Sequence, residues 1–455
     1  MRKFLPKKLQ NLAQKCPVPL FVVGGAVRDF ILGAKLLPPY SLDLDICAPL
    51  DAEKFAALST ENGFTVKSVY KTTGTVKLKD SDGVEYEYSC FRSDKYVRGT
   101  HVPVEIYFTD DISLDARRRD FTANAVYYDI KADRFVDPLN GINAIKEKRL
   151  TTVAPAKKVF GEDGLRLMRL ARQSAQLGFT PDEECLQGAR INAALIDDIT
   201  PERIFTELNA ILHADQKYGN KNGGYEGLKL LDETGVLERL LPQLALGKGM
   251  AQRSDFHKYD VLEHSFRAVK YADDSIRLAA LLHDVGKPFC KLRDGNSYEH
   301  PAEGANLAKE ILTKLKAPKK LTDEVCALVL WHMYDFDCKT NENKLRRFFV
   351  AHYTILEKLL LLKQADFSAC ADDTSPAPTC VKWRKLLQKM QAEHAPLTLK
   401  ELAISGNDLL MLEVPPYRIA EFLRRLLTHA VCFPKDNEKT RLLRLASGYL
   451  KEEKR

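Results

Sequence analysis

Residues 20–46, LFVVGGAVRDFILGAKLLPPYSLDLDI, decide the fold of the first part of the chain. The apolar run at 20–23 has the length of a buried strand. Gly24 and Gly25 follow it, and a stretch of helical character begins directly after them. A strand–Gly–Gly–helix junction directs free backbone N–H groups and the positive end of a helix dipole at one point, which suits a phosphate. Arg28, one turn into the predicted helix, adds a forked cation for the same anion.

A pair of carboxylates follows this junction. Asp43 and Asp45 lie two residues apart in a predicted second strand, so both side chains point to one face of it. Two carboxylates so close repel each other unless a divalent cation lies between them, and Mg²⁺ held by carboxylates and substrate phosphates fits the pattern. Alone, a Gly-Gly pair is usually a turn, and an Asp-x-Asp pair on a strand is often a solvated edge. Their order and spacing together predict phosphoryl or nucleotidyl transfer.

Size and composition set the broad class. With 455 residues, the chain has room for three or four domains that each bury a core. A hydrophobic fraction of 45% and a charged fraction of 29% are ordinary for a globular protein. The formal net charge of +7 is compatible with one basic face that binds a polyanion, but it is equally compatible with a merely solvated surface.

Cysteine usage and the absence of long apolar stretches indicate a compartment. The ten cysteines include no CxxC pair, so we expect reduced thiols and neither a zinc knuckle nor a disulfide framework. The basic amino terminus MRKFLPKKLQ is not followed by an apolar core of signal-peptide length, and no stretch reaches the ~20 apolar residues of a membrane span. These features predict a cytoplasmic protein with no membrane partner.

The two motifs also carry a family resemblance. GGAVRD followed by DLD resembles the nucleotidyltransferase superfamily that includes DNA polymerase beta, and within it the bacterial CCA-adding enzymes and poly(A) polymerases. The resemblance implies an α+β fold with a mixed-sheet nucleotidyltransferase head, followed by all-α neck, body, HD and tail regions. It further implies the addition of C, C and A to the tRNA 3′ end from CTP and ATP, with Mg²⁺ and without a nucleic-acid template.

A third carboxylate is expected on the strand VEYEYSCFR at 84–92. Strand alternation places Glu85 and Glu87 on one face, where both would otherwise be read as exposed residues. Family members carry a catalytic carboxylate here, a few residues before an arginine. The resemblance therefore implies that Glu87 joins Asp43 and Asp45 in catalysis, with Arg92 as that arginine, and leaves Glu85 as the alternative.

The run RRRDFTANA at 117–125 matches the second motif of the family. A basic tripeptide alone is usually a solvated face. The resemblance implies instead that Arg119 helps to hold the incoming nucleotide, while Asp120 and Asn124 order the pocket.

Two further stretches match the family. In DPLNGINAIKEKRL, Asp137 and Gly141 match a motif that resembles a hinge between the head and the neck. In ITPERIFTELNAIL, Glu202, Arg203 and Glu207 match a motif that is expected to buttress the neck.

The stretch GEDGLRLMRLARQSAQLGF at 161–179 places Asp163, Arg166, Arg169 and Arg172 at every third residue of a predicted helix. Surface ion pairs three residues apart would produce the same spacing. However, EDxLRxxRxxR resembles the most diagnostic motif of the bacterial CCA-adding class. The resemblance implies that Asp163 and Arg166 face the Watson–Crick edge of the incoming base, and that Arg169 and Arg172 support that pair and bind the triphosphate.

A second set of chemical groups begins near residue 257 and includes the run LLHDVGK. Imidazoles and carboxylates on successive predicted helices form an inward-facing site with N and O ligands, which suits Mn, Fe, Ni or Mg. The pattern resembles the HD phosphohydrolases and implies metal-dependent hydrolysis of phosphate esters. The implied ligands of a divalent transition metal or Mg²⁺ are His264, His283, Asp284 and Asp366. His300 and His332 are left open as ligands of a second metal, and His257 lies outside the matched pattern.

The predicted domains are a catalytic head at 1–148, a helical neck and body at 149–250, an HD domain at 251–373 and a helical, tRNA-binding tail at 374–455. Two alternatives stay open. One keeps the head but changes the product, as in a poly(A) polymerase or an enzyme that adds only A or only CC. The other is an HD phosphohydrolase whose inactive head only binds RNA. The sequence leaves the oligomeric state undetermined.

Overall fold

The protein divides into two compact units. The computed structural model describes residues 1–35, 44–96, 103–255 and 257–453. One unit comprises Met1–Leu246 and Lys314–Ala317, and the other comprises Gly247–Thr313 and Pro318–Arg455. The division near residue 246 lies close to the predicted boundary at 250, while the predicted four-part division of the chain stays a prediction.

The strands all lie in the first unit, as far as the described ranges extend. They are β1 Phe21–Val23, β2 Leu44–Ala48, β3 Thr65–Tyr70, β4 Thr75–Lys79, β5 Glu85–Cys90, β6 Arg92–Lys95, β7 Glu105–Phe108, β8 Tyr127–Asp129, β9 Arg134–Val136, β10 Arg149–Leu150 and β11 Thr180–Pro181.

A seven-stranded mixed sheet forms the head, as predicted. Its order is β3-β4-β5-β2-β1-β8-β9, while β6 pairs with β7 and β10 with β11 in two small separate ribbons. Within the large sheet β2 and β5 are parallel, and the other neighbouring strands are antiparallel. The parallel register places Asp45 directly beside Glu87. Since paired residues of adjacent strands point to the same face, these two carboxylates share a face of the sheet.

The two faces of the sheet differ in chemistry, and this difference fixes which face of each strand is buried. On β5 the buried Tyr86 and Tyr88 alternate with the exposed Glu85 and Glu87. Tyr88 stacks on Phe55, with ring centroids 3.7 Å apart, and so anchors a helix to one face. The other face carries an apolar cluster at one end and the carboxylates at the other. Members of this cluster include Phe21, Cys47, Phe91 and Tyr127.

Helices make up most of the rest of the chain. In the first unit they are α1 Lys7–Lys15, α2 Gly25–Leu32, α3 Ala52–Glu61, α4 Ile112–Arg117, α5 Gly141–Lys146, α6 Ala156–Glu162, α7 Leu165–Leu177, α8 Glu183–Asn192, α9 Pro201–Leu212, α10 Asp215–Tyr218, α11 Gly223–Glu233, α12 Val236–Leu240 and α13 Pro242–Ala245.

The second unit contains helices and no strand among its described residues. Its helices are α14 Val261–Tyr271, α15 Arg277–Leu282, α16 Lys287–Asp294, α17 His300–Lys314, α18 Lys319–Trp331, α19 Glu342–Ala351, α20 Leu356–Ala371, α21 Pro378–Ala392, α22 Gly406–Met411, α23 Ile419–Ala430 and α24 Lys439–Glu453. The last three helices share a small apolar cluster that includes Leu409, Phe422 and Leu442. None of the described helices combines the length and the apolarity that a membrane span requires.

The predicted continuous helix at 161–179 is wrong at its start. The helix is interrupted after Glu162, and Asp163 has an extended backbone between α6 and α7. Gly164 lies against another segment: a Cβ there would be 2.4 Å from the carbonyl oxygen of Leu195. The Asp163 carboxylate accepts a hydrogen bond from the Leu165 N–H at 2.9 Å. The i,i+3 spacing of Asp163 with Arg166 therefore reflects a capped helix start and not a position on a continuous helix.

Candidate functional site

A cavity of about 380 Å³ lies in the first unit, where the start of α2, residues 118–124 and α7 meet. Its wall contains eight basic and four acidic side chains. The volume is in the range of small-molecule sites. The excess of guanidinium groups favours an anionic ligand such as a triphosphate.

The glycine junction forms one wall of this cavity. Gly24 has a φ of +79°, and a Cβ there would lie 3.1 Å from Oδ2 of Asp45. Any other residue would be strained in this backbone conformation and would crowd the carboxylate. Helix α2 begins at Gly25 with no side-chain hydrogen bond at its N-cap. Its first N–H groups have no partner within the helix, so an anion can bind there.

The described carboxylates fit a magnesium site. Asp45 lines the cavity, and Glu87 lies next to it in the parallel register. Glu87 is half exposed and forms an ion pair with Lys77 at 3.5 Å. Two oxygen donors on one sheet face beside a phosphate site are the ligands that Mg²⁺ prefers. Asp43, the third predicted member, lies outside the described residues. Glu85 is also exposed and forms an ion pair with Lys67.

Arg28 lies in the cavity wall, with its guanidinium already held in place. It donates to Oδ1 of Asp29 at 2.7 and 3.0 Å and to Oδ1 of Asn124 at 2.7 Å. It also contacts the Tyr218 hydroxyl at 2.9 Å. Only 6% of Arg28 is exposed, so an anion in the cavity would meet a cation whose position is set in advance.

Asp120 is the centre of the polar network under the cavity. One of its oxygens accepts from the Phe121 N–H and the Asn124 amide, and the other accepts from Arg169 and Gln173. Burial alone would raise the pKa of Asp120, but Arg169 and these donors outweigh it and hold the pKa well below its ordinary value. The ionised Asp120 therefore ties the head to α7.

The arginine run is held by a second buried carboxylate, Asp115. Arg118 and Arg119 donate to its two oxygens at 2.7 and 3.1 Å, and the Tyr127 hydroxyl donates at 2.7 Å. Burial opposes ionisation, yet the two guanidinium groups lower the pKa of Asp115 to about 2. Arg119 thus lines the cavity while it is fixed by structural partners. Arg92 is likewise engaged, in an ion pair with Asp94 at 2.9 Å.

The predicted base-reading pair, Asp163 and Arg166, also lines this cavity, but both side chains are hydrogen-bonded to other groups of the protein. Asp163 is partly exposed and caps α7. Arg166 is 5% exposed and donates to the carbonyl oxygens of Val159 and Arg118 and to Glu162. In this arrangement Arg166 reaches a base only if it exchanges some of these partners.

Arg172 also lines the cavity. It forms an ion pair with Glu207 at 2.6 Å and a hydrogen bond to Gln176. This pair joins α7 to α9, where Glu207 was predicted to buttress the neck. In the hinge motif, Asp137 accepts from the N–H groups of Gly141 and Ile142 at 2.7 and 2.9 Å and so caps α5.

A cluster of histidines and carboxylates is buried in the second unit. Nε2 of His264 lies 3.1 Å from Nε2 of His283, and Nε2 of His300 lies 3.2 Å from Nε2 of His332. The Asp284 carboxylate lies between the two pairs: its Oδ2 is 3.3 Å from His283 and its Oδ1 is 3.3 Å from His300. Asp366 completes the first pair, 3.0 Å from His264.

The tautomers of these histidines test whether a cation fits. Nδ1 of His283, His300 and His332 each lies within 2.8 Å of a backbone carbonyl oxygen, to which a protonated Nδ1 donates. In the neutral rings Nε2 then carries a lone pair. For His300 and His332 two such lone pairs face each other at 3.2 Å and repel, and a cation between them removes the repulsion. On the other side of Asp284, Nε2 of His264, Nε2 of His283 and a carboxylate oxygen of Asp366 converge within 3.5 Å of one another. The residues therefore fit one metal on each side of Asp284.

The charges in this cluster also favour a bound cation. Burial alone would lower the pKa of His283, but the carboxylates of Asp284 and Asp366 raise it to about 10. The field that holds a proton there also attracts a metal cation. For His332 burial dominates and lowers the pKa to about 4, which leaves the ring neutral and able to ligate.

Three family models match the chain in order. The "Poly A polymerase head domain" matches residues 20–151, the "Probable RNA and SrmB- binding site of polymerase A" matches 178–246, and the "HD domain" matches 259–366. A relative from Deinococcus radiodurans, named A-adding tRNA nucleotidyltransferase, is 30% identical over 436 residues, which cover 90% of this chain and 92% of the relative. The chain belongs to the tRNA nucleotidyltransferase family.

Other relatives agree with this assignment. The CCA-adding enzyme of Lactococcus lactis is 32% identical over 241 residues, which span 52% of this chain and 56% of that enzyme. The structure of the Bacillus stearothermophilus CCA-adding enzyme in complex with CTP shares the fold, with a TM-score of 0.66, 24% identity and 98% coverage of both chains. The protein is thus an enzyme of the nucleotidyltransferase class that also contains an HD domain, as predicted.

Several residues of this nucleotidyltransferase site were missed in the sequence. Asp115, Gln173 and Tyr218 each hold a predicted residue in place. Asp115 lies two residues before the run RRRDFTANA and Gln173 lies within the stretch 161–179, so a polar residue at a buried position was the available signal. For Tyr218 there was none, because its contact with Arg28 spans 190 positions.

Proposed function

We propose that this enzyme adds C, C and A in turn to the 3′ end of tRNA, using CTP, ATP and Mg²⁺ without a nucleic-acid template. The observation that carries the proposal is the basic cavity, whose wall includes the glycine junction, Asp45 and Asp163. The name of the Lactococcus lactis relative supports the product.

The carboxylates take the metal. Asp43, Asp45 and Glu87 would hold Mg²⁺, which when bound activates the terminal ribose hydroxyl and neutralises the departing pyrophosphate. The chain itself contributes position and field. Because the reaction needs no side-chain nucleophile, fixed cations and fixed geometry provide its catalytic advantage.

The triphosphate binds at the start of α2. The N–H groups after Gly24 and Gly25 face it, and Arg28 and Arg119 provide charge on the cavity wall. Arg169 and Arg172 extend this charge along α7. Their carboxylate partners keep the guanidinium groups in place before the nucleotide arrives, so little ordering is needed at the moment of reaction.

Asp163 and Arg166 select the base. A carboxylate accepts from the amino group of C or A, and a guanidinium donates to the ring acceptor of the same base. Asp163→Asn keeps an oxygen that can cap α7 but replaces the carboxylate with an amide. We expect this variant to lose discrimination against GTP and UTP more than it loses turnover. Unchanged discrimination contradicts the role of Asp163 in base selection.

The nucleotides that the enzyme adds to a tRNA identify its function most directly. A tRNA that ends before CCA is incubated with CTP, with ATP and with both. CTP alone should extend it by two residues and the mixture by three. A long A tail identifies a poly(A) polymerase instead.

Addition of A alone is the second candidate, because the Deinococcus radiodurans relative that aligns with 90% of this chain is an A-adding enzyme. A tRNA that already ends in CC accepts A from either enzyme. The tRNA that ends before CCA separates them, since an A-adding enzyme leaves it without the CC extension.

For the HD domain we propose metal-dependent hydrolysis of phosphate esters. The facing Nε2 pairs on both sides of Asp284 support it. Bis(4-nitrophenyl) phosphate is a suitable probe, with Mg²⁺, Mn²⁺ and Ni²⁺ compared. His283→Ala should lose hydrolysis and keep nucleotide addition, while Asp45→Asn should do the reverse. If the wild type adds no nucleotide and Asp45→Asn leaves hydrolysis intact, the head only binds RNA.

We place the enzyme in the cytoplasm. Its ten cysteines are all free thiols, and six of them are buried in the core. A reducing compartment keeps such thiols unpaired.

A further inference from the structure

His257 and Cys370 lie beside the HD cluster, although neither belongs to the matched HD pattern. One ligand atom from each of His257, His264 and Cys370 lies within 4.8 Å of the other two. The His257 and His264 rings meet edge to face, with centroids 4.8 Å apart. Two imidazoles and a thiol thus converge on one point at the edge of the cluster.

His264 differs from the other three histidines of the HD cluster in its second nitrogen. His283, His300 and His332 each use Nδ1 in a contact with a backbone carbonyl. Nδ1 of His264 is buried and has no hydrogen-bond partner, and the same is true of Nδ1 of His257. A buried polar atom without a partner is costly and calls for a ligand, an ion or a water. Since Nε2 of His264 faces His283 and Asp366, its Nδ1 is left for a different ligand.

The backbone holds this convergence in place. The Lys258 N–H donates to the carbonyl oxygen of Cys370 at 2.9 Å, and Lys258 Nζ contacts the next carbonyl. The Tyr259 hydroxyl bonds the Asp372 carboxylate. The segment that carries His257 is therefore tied to the end of α20, which carries Cys370. These bonds make the proximity of the three side chains a property of the fold.

We propose that His257, His264 and Cys370 bind a thiophilic divalent ion of the Zn²⁺ class, separate from the metals on either side of Asp284. A thiolate with two imidazoles selects Zn²⁺, Cd²⁺ or Co²⁺ over Mg²⁺. Zinc bond lengths of about 2.0 Å to N and 2.3 Å to S place tetrahedral ligand atoms about 3.3–3.5 Å apart. The half-buried His257 and Cys370 side chains reach this spacing by rotation, and solvent provides the fourth ligand.

Binding has a proton balance and a structural consequence. The Cys370 thiol, which donates to the Asp366 carbonyl at 3.4 Å, loses its proton to solvent as the sulfur–metal bond forms. With both sites occupied, His264 would ligate on both nitrogens, so its ring N–H would also lose its proton to solvent and the ring would be shared by the two ions as an imidazolate. Occupation of one site therefore changes the affinity of the other for its metal.

Cadmium titration of the full-length protein tests the proposal. Cadmium–thiolate bonds absorb in the ultraviolet, and the metal-stripped wild type is compared with Cys370→Ser, His257→Gln and the control Cys326→Ser, a half-buried cysteine outside the cluster. We expect Cys370→Ser to lose one equivalent of tight Cd²⁺ and its absorption. His257→Gln should weaken binding at least tenfold, and Cys326→Ser should match the wild type.

Three titration results would overturn the proposal. Identical titrations for the wild type and Cys370→Ser overturn the proposal, and so does a loss that is equal in Cys370→Ser and Cys326→Ser. A wild type that binds no Cd²⁺ tightly also overturns it. Fluorescence of Trp331 and Trp383, which lie in the same unit as the three substitutions, confirms that each variant is folded.

Discussion

Asp120→Asn is expected to loosen the attachment of α7 to the head. The side chain is 5% exposed, and its two oxygens accept from Phe121, Asn124, Arg169 and Gln173. The asparagine side chain has the same shape as aspartate, but an NH₂ group replaces one carboxylate oxygen. That NH₂ group then faces hydrogen-bond donors instead of acceptors. The charge that pairs with Arg169 is also lost.

The cost follows from these partners. A hydrogen bond to a charged group is worth about 1.5–3 kcal/mol. The Arg169 side chain is 38% exposed, so water replaces part of the lost ion pair. We expect a net loss of about 2–3 kcal/mol in the free energy of opening at α7, which corresponds to a fall of about 30- to 150-fold in protection.

Amide hydrogen exchange of residues 165–177 measures this quantity locally. Asp110→Asn is the matched control, because Asp110 is exposed, and it should change protection by less than about threefold. The two tryptophans, Trp331 and Trp383, both lie in the second unit. Their fluorescence should be the same in all variants. Protection of α7 in Asp120→Asn equal to that of the control refutes the role of Asp120.

Three other predictions concern the third carboxylate, the buried Asp115 and the glycine junction. Glu87→Gln should lower the rate of nucleotide addition by about 10²–10³-fold while Glu85→Gln stays within about twofold, and the reverse order in single-turnover assays would assign the third carboxylate to Glu85. The depressed pKa of Asp115 contributes about 2 kcal/mol of stability above pH 4 that is lost as the pH falls from about 4 to 2. The gap in unfolding free energy between wild type and Asp115→Asn, followed by urea titration at several pH values, should therefore shrink below pH 4, and a gap independent of pH would contradict this. Gly24→Ala should weaken Mg·CTP binding at least tenfold, because φ is +79° and the new Cβ lies 3.1 Å from Asp45, and equilibrium dialysis showing unchanged affinity would argue against the glycine junction as the phosphate site.

The sequence predicts the parts of the fold that depend on local pattern. Strand alternation in β5 correctly places Tyr86 and Tyr88 inside and Glu87 outside. The glycine pair correctly marks the start of α2. The histidines and carboxylates of the predicted HD pattern lie close together, because they stand on buried helices or directly after their ends.

What the sequence does not contain is the tertiary environment of each charge. The four polar residues at 163–172 resemble one helical stripe, yet Asp163 precedes α7, since Gly164 must pass close to Leu195. Arg166 is buried against backbone carbonyls from two other segments. His257 gave no signal, because its proximity to Cys370 spans more than a hundred residues and depends on how the ends of two segments are tied together.

Nucleotide addition by Asp45→Asn is the most direct test of whether the head carboxylates hold Mg²⁺ for this reaction. The variant keeps the size of the side chain beside Gly24 but removes the charge that would hold Mg²⁺. A tRNA that ends before CCA is offered CTP and ATP, with hydrolysis by the HD domain as the folding control. We expect nucleotide addition to fall at least about a thousandfold with hydrolysis unchanged. Wild-type addition by Asp45→Asn would contradict the proposed magnesium site.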